Sequence, residues 1–128
     1  MVEGRAQPRT VLVVDDDASL RLLCRVNLDL DGHRVVEAAT VAAALAALDE
    51  HEVDVILLDL HLGSASGLDV LDAVEAADLP VRVVLLSGSS DLPADVRGRV
   101  AASLGKPFTL EDLARVVADD ASGRLRGA

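Results

Sequence analysis

Two stretches of this chain, VDVILLDL at residues 53–60 and VRVVLLSG at residues 81–88, each hold four apolar residues in a row. A strand with one wet face alternates apolar and polar residues, because successive side chains point to opposite sides. An unbroken run of β-branched residues and leucine needs cover on both faces, as in a parallel sheet sandwiched between helices. Three further apolar stretches are read as strands too, so strands are expected at Thr10–Val14, Arg34–Ala38, Val53–Leu58, Val81–Leu86 and Ala101–Leu104.

Helical spacing fills the gaps. Leu20, Leu23, Cys24, Asn27 and Leu28 mark the inward face of a first helix, with Gly32 placed to end it. Val41, Leu45 and Leu48 mark a second, opened by Thr40. Ser66 and Asp69 resemble a capping box before a third, with Leu68, Leu71 and Val74 inward. Leu92, Val96 and Val100 mark a short fourth. Thr109 and Asp112 open a fifth, with Leu110, Leu113 and Val117 on one face. Strands alternating with helices imply right-handed crossovers and a single α/β domain, which suits a chain of 128 residues.

Composition narrows the function. The formal net charge is −10, which disfavours direct binding to nucleic acid and suits a cation or a basic partner. No apolar run is long enough to span a membrane, and residues 1–9 lack the apolar stretch of a secretory signal. One cysteine, Cys24, excludes an internal disulfide and fits a reducing, cytoplasmic setting. Phe108 is the one aromatic residue, so valine, leucine, isoleucine and alanine must build the core.

Open parallel sheets bind ligands outside the carboxyl ends of their strands. At those ends this sequence places Asp15 and Asp16, then Asp59, then Ser87, then Lys106 followed by Pro107. Converging carboxylates repel unless a cation joins them. An all-oxygen set suits a hard ion such as Mg²⁺. A carboxylate can attack phosphorus and form an acyl phosphate, a reaction that needs mainly positioning and charge neutralisation. Lys106 supplies a mobile positive charge for Asp59 or a phosphoryl oxygen, and Ser87 a hydroxyl donor.

The ordered set VLVVDDD, DVILLDLHL, Gly67, VVLLSGS and KPF resembles the receiver domains of two-component response regulators, over nearly the whole chain. The resemblance implies a flavodoxin-like (βα)5 doubly wound parallel sheet with strand order 2-1-3-4-5. It implies a receiver domain over residues 10–120, with flexible segments at 1–9 and 121–128. It implies that Asp59 accepts a phosphoryl group from a histidine kinase or histidine phosphotransfer protein, for an unknown downstream protein target. Asp15, Asp16, Asp59 and the backbone carbonyl of His61 would then hold Mg²⁺, while Ser87 and Lys106 contact the phosphoryl oxygens. The bond between Lys106 and Pro107 is expected to be cis. As a phosphoacceptor, such a domain is not an enzyme in the ordinary sense. It stands alone or belongs to a longer regulator or hybrid kinase.

Ordinary readings compete at each position. Asp17 is the natural cap of the first helix. Asp54 reads as a residue leading into a strand, and Cys24 as a small core residue. His33 and His51, at the ends of elements, are expected to be exposed. The His61 side chain, two residues past Asp59, is placed to influence hydrolysis of an acyl phosphate. Other functions remain: a receiver-like module that takes no phosphate, a phosphatase of the haloacid dehalogenase type using Asp15 and Asp17, or a flavin or nucleotide binder. No glycine-rich phosphate loop follows the first strand, which weighs against the last.

Three departures from the resembled family fall on the output side. Ser103 stands where receivers usually carry Tyr or Phe. The stretch from Ser87 to Lys106 is shorter by roughly one helical turn and holds Pro93 and Gly98, so the fourth helix is expected to be short. Gly63 replaces a common proline.

Overall fold

A computed structural model describes residues 8–88 and 94–118. Leu92 of the fourth helix pattern, most of segment 1–9 and the tail at 121–128 lie outside the described residues. In chain order the elements are β1 (Thr10–Val14), α1 (Ala18–Leu30), β2 (Arg34–Ala38), α2 (Val41–Glu50), β3 (Val55–Asp59), β4 (His61–Leu62), β5 (Ala65–Ser66), α3 (Leu68–Ala76), β6 (Arg82–Ser87), α4 (Ala94–Arg97), β7 (Ala102–Gly105) and α5 (Leu110–Ala118). The main sheet is parallel, in the order β2-β1-β3-β6-β7. With the small β4–β5 hairpin set aside, this is the flavodoxin-like order 2-1-3-4-5.

The apolar runs divide as a doubly covered sheet requires. Leu12, Val14, Ile56, Leu58, Val83 and Leu85 face a core closed by α2 and α3. Val11, Val13, Val55, Leu57, Val84 and Leu86 face the other core, closed by Cys24 and Leu28 of α1 and Leu113 and Val117 of α5. Phe108 is only partly buried there. Burial pushes the Cys24 thiol up to about 11, so it packs as an inert core residue.

The last three main strands start and end later than their sequence patterns suggest. β3 starts at Val55 because Asp54 is spent on a junction: its N–H donates to the Thr10 carbonyl (2.8 Å), and its carboxylate accepts from Thr10 N–H (2.8 Å). Strand pairing continues through the polar ends, with Asp59 beside Leu86 and Ser87 beside Gly105, so the functional residues sit on the last rung of the ladder.

Of the five caps read from the sequence, four form: Asp17 caps α1, Thr109 Oγ1 accepts from Asp112 N–H (2.9 Å), and Thr40 and Gly32 act as expected. Thr40 accepts from Ala43 N–H (3.0 Å), and Gly32 ends α1 at φ +92. The Ser66/Asp69 capping box does not form. Gly67 takes the cap position, and Ser66 Oγ accepts from Leu68 N–H, one residue short of Asp69. Leu23, Leu45 and Leu110 face outward instead of inward; Cys24, Ala44, Ala47 and Leu113 take the buried positions. The buried line of α1 is Cys24 and Leu28, four residues apart, and that of α2 is Ala44 and Ala47, three apart.

His33 is buried, contrary to the sequence expectation, because its Nδ1 accepts the Arg9 N–H (3.0 Å) beside the β1–β2 pair. Burial pushes its pKa below the ordinary histidine range, Asp31 offsets part of this, and Arg9 adds to it. An unfolded chain takes up that proton near pH 6.5, before the folded one does. Stability is therefore full above about pH 6.5 and falls as the pH drops from there toward the folded-state pKa. Urea midpoints at pH 7.5 and 5.5 should show the loss, and His33→Gln should flatten it; an equal loss in the variant would contradict this.

Candidate functional site: an acidic cleft at the carboxyl edge of the sheet

β1 and β3 are neighbours and end at the same level, which brings Asp15 and Asp16 to Asp59 across 43 residues of chain. One oxygen from each of the three carboxylates lies within 4.8 Å of the others. Asp15 is fully buried and Asp59 nearly so, whereas Asp16 is exposed.

Each aspartate has a different set of partners. Asp15 Oδ1 accepts from Asp17 N–H (2.9 Å), and its backbone carbonyl accepts from Arg21 Nη1 (2.8 Å). Arg21 also bonds Glu37 on β2 (3.1 Å), which fixes the β1–α1 turn. Asp59 Oδ1 accepts from His61 N–H (3.0 Å). Asp16 Oδ2 accepts from Gly63 N–H (2.9 Å). Asp17 stays outside the cluster. Its carboxylate accepts from Ser19 and Leu20 N–H (2.9 and 3.3 Å) and caps α1. That commitment removes the Asp15/Asp17 pair on which the phosphatase reading depends.

Lys106 enters from the end of β7, through a cis bond to Pro107. Its Nζ lies 2.8 Å from Asp15 Oδ2 and 3.3 Å from Asp59 Oδ2. Sequence reasoning paired it with Asp59; the shorter contact is to Asp15. Burial works against its charge, but the hydrogen bond and charge of Asp15, then of Asp59, outweigh that and hold the ammonium above the ordinary lysine range. Lys106 N–H also bonds the Ser87 carbonyl (2.7 Å), which places Ser87 at this edge, next to the β3 end. His61 is exposed, and its N–H is its contribution to the Asp59 carboxylate.

One lysine faces three carboxylates, so the cluster keeps an excess of negative charge. Its ligand atoms are all oxygen and close together, and the donor set fits a hard divalent cation.

Three contributors were invisible as side-chain motifs. Arg21 and the Gly63 N–H act on the backbone or through it. Gly67 is needed for space: a Cβ there would meet the Asp59 carbonyl oxygen at 2.3 Å. In the sequence it shows as a glycine directly before the apolar helix pattern that starts at Leu68, and as one piece of the family resemblance, with no sign of the steric reason.

The sequence model of the response regulator receiver domain matches residues 11–118. The transcriptional regulatory protein KdpE of Mycobacterium tuberculosis is 38% identical over 110 residues, covering 83% of this chain and 48% of the relative. Mycobacterium tuberculosis PrrA, another transcriptional regulatory protein, is 38% identical over 122 residues, covering 92% of this chain and 52% of the relative. The chain thus spans about half the length of these curated relatives. A solved signal receiver domain from Vibrio parahaemolyticus superposes with a TM-score of 0.80 at 29% identity, covering 88% of each chain.

Proposed function

This chain belongs to the response regulator receiver family, the signalling domains of two-component systems, and from that membership and its cleft we propose that Asp59 is a phosphoacceptor. The observation that carries the reading is the meeting of Asp15, Asp16 and Asp59 with Lys106 at one edge of the sheet. We place the domain at residues 10–120, in the cytoplasm.

Asp15, Asp16, Asp59 and the His61 backbone carbonyl would hold Mg²⁺. The ion would neutralise charge on the transferring phosphoryl group. The chain's own residues do the rest. An Asp59 carboxylate oxygen attacks phosphorus, and the P–N bond of a phosphohistidine donor breaks with its electron pair left on the imidazole. Lys106 leaves its contact with Asp59 to meet a phosphoryl oxygen, while its shorter bond to Asp15 keeps it in the cleft. Ser87 donates its hydroxyl to a second oxygen.

The test is where the phosphoryl group lands. Incubation with acetyl phosphate and Mg²⁺, then borohydride reduction and peptide mass mapping, should mark Asp59. Marking at Asp15, or no incorporation, would overturn the assignment.

A histidine kinase or histidine phosphotransfer protein is the natural donor, and α1 offers it a surface. Leu22, Val26 and Leu30 recur every fourth residue and are 57, 47 and 76% exposed, with Leu23 beside them. This apolar stripe starts next to the cleft and suits a helical donor. Val26→Glu should slow transfer from the donor by tenfold or more (roughly the cost of a charge in an apolar contact), yet leave acetyl phosphate labelling unchanged. Equal effects on both would refute the docking surface.

The readout lacks a ring at Ser103, which is exposed on the edge strand β7. We assign the change to Ser87 and the segment bearing α4, a single turn of four residues. Amide shifts in α4 and β7 should move on adding beryllofluoride; unchanged shifts would count against it.

A further inference from the structure

β4 and β5 are joined by Gly63 and Ser64 alone, with Leu62 paired to Ala65. Gly63 has φ +63, and Ser64 is not among the residues of positive φ. A two-residue hairpin with a glycine of positive φ first is the type II′ pattern. The N–H of that first residue points out of the hairpin. Here it points at the cleft and donates to Asp16 Oδ2 at 2.9 Å.

The other two carboxylates of the cluster are buried and share Lys106. Asp16 is exposed and carries the same sign of charge as both neighbours, so repulsion drives its side chain outward into water. A hydrogen bond from a backbone donor fixed in a tight turn opposes that motion. The carboxylate keeps its second oxygen and further lone pairs for another partner.

We propose that Gly63 is the positioning residue for Asp16: its N–H holds the exposed carboxylate in the cleft before a divalent cation arrives. This rests on the reading of the cleft as a Mg²⁺ site. Proline cannot do this work, since it has no N–H and its φ is fixed near −65°. Alanine keeps the N–H, and a Cβ at this position meets nothing within 4 Å, leaving backbone strain as its one penalty.

The experiment is Mg²⁺ titration followed by amide NMR at Asp15, Asp16 and Asp59, without any phosphodonor. Gly63→Pro should bind Mg²⁺ roughly tenfold more weakly than wild type, and Gly63→Ala within about threefold of it. Equal weakening in both variants would make the loop, rather than the N–H, responsible and overturn the proposal. So would unchanged affinity in Gly63→Pro. A second readout does not depend on that variant folding: in Asp16→Ala the Gly63 amide proton should move upfield, and an unmoved resonance would refute the bond. Wild type that binds no Mg²⁺ would sink the metal reading and this proposal with it. Wild type that binds while Gly63→Pro matches it would sink this proposal alone.

Discussion

Asp59→Asn is expected to abolish incorporation from acetyl phosphate and, in the absence of Mg²⁺, to raise stability by about 1 kcal/mol. The first effect follows from chemistry, since a carboxamide is a poor nucleophile toward phosphorus. The second follows from the charge count in the cleft. Three carboxylates cluster where one lysine bonds two of them, Asp15 and Asp59, and Asp59 has the longer contact. Asparagine keeps an oxygen to accept the His61 N–H, and Lys106 keeps Asp15, so little is lost and one repulsive charge is gone. Because wild type gains stability by binding Mg²⁺ and the variant binds less, the difference should shrink as Mg²⁺ is raised. Urea denaturation with EDTA and with Mg²⁺ measures this. A variant that is less stable than wild type in EDTA would show that repulsion does not dominate the cleft.

Gly67→Ala carries the second large effect. The glycine has φ −63, ordinary for any residue, so its role is steric. A Cβ would meet the Asp59 carbonyl oxygen at 2.3 Å, the Leu60 Cα at 3.0 Å and the Asp59 carbonyl carbon at 3.1 Å. All three are backbone atoms at the end of a buried central strand, and the Gly67 N–H bonds the Leu60 carbonyl at 2.7 Å, so neither side has room to yield. Overpacking of this kind costs about 3 kcal/mol. Whatever shift relieves it displaces Asp59 itself, so acetyl phosphate labelling should fall together with the urea midpoint. A loss below about 1 kcal/mol would mean that the loop relaxes freely.

Much of this was legible because the sheet is covered on both sides. Val55–Leu58 and Val83–Leu86 admit few alternatives, and once the strands are placed, Asp15, Asp59, Ser87 and Lys106 fall at one edge. What stayed hidden depends on distances between backbones. Leu23 and Cys24 both fit the inward face of α1 by spacing; the helix turns Cys24, one turn before the buried Leu28, to the sheet and leaves Leu23 exposed. His33 looks like a surface residue at a strand start until the Arg9 N–H is seen to need an acceptor. The Ser66/Asp69 box fails because Gly67 is pressed against Asp59, a contact between segments that spacing alone does not reveal. The β4–β5 hairpin is two residues per strand, below any periodicity.

The bonds of Lys106 span 91 residues to Asp15 and 47 to Asp59. Contacts of such reach form late, after the chain entropy of closing those loops has been overcome. The mutual repulsion of the aspartates is then met on the native side of the folding barrier. Easing it should slow the opening of the folded domain and leave its speed of formation nearly untouched.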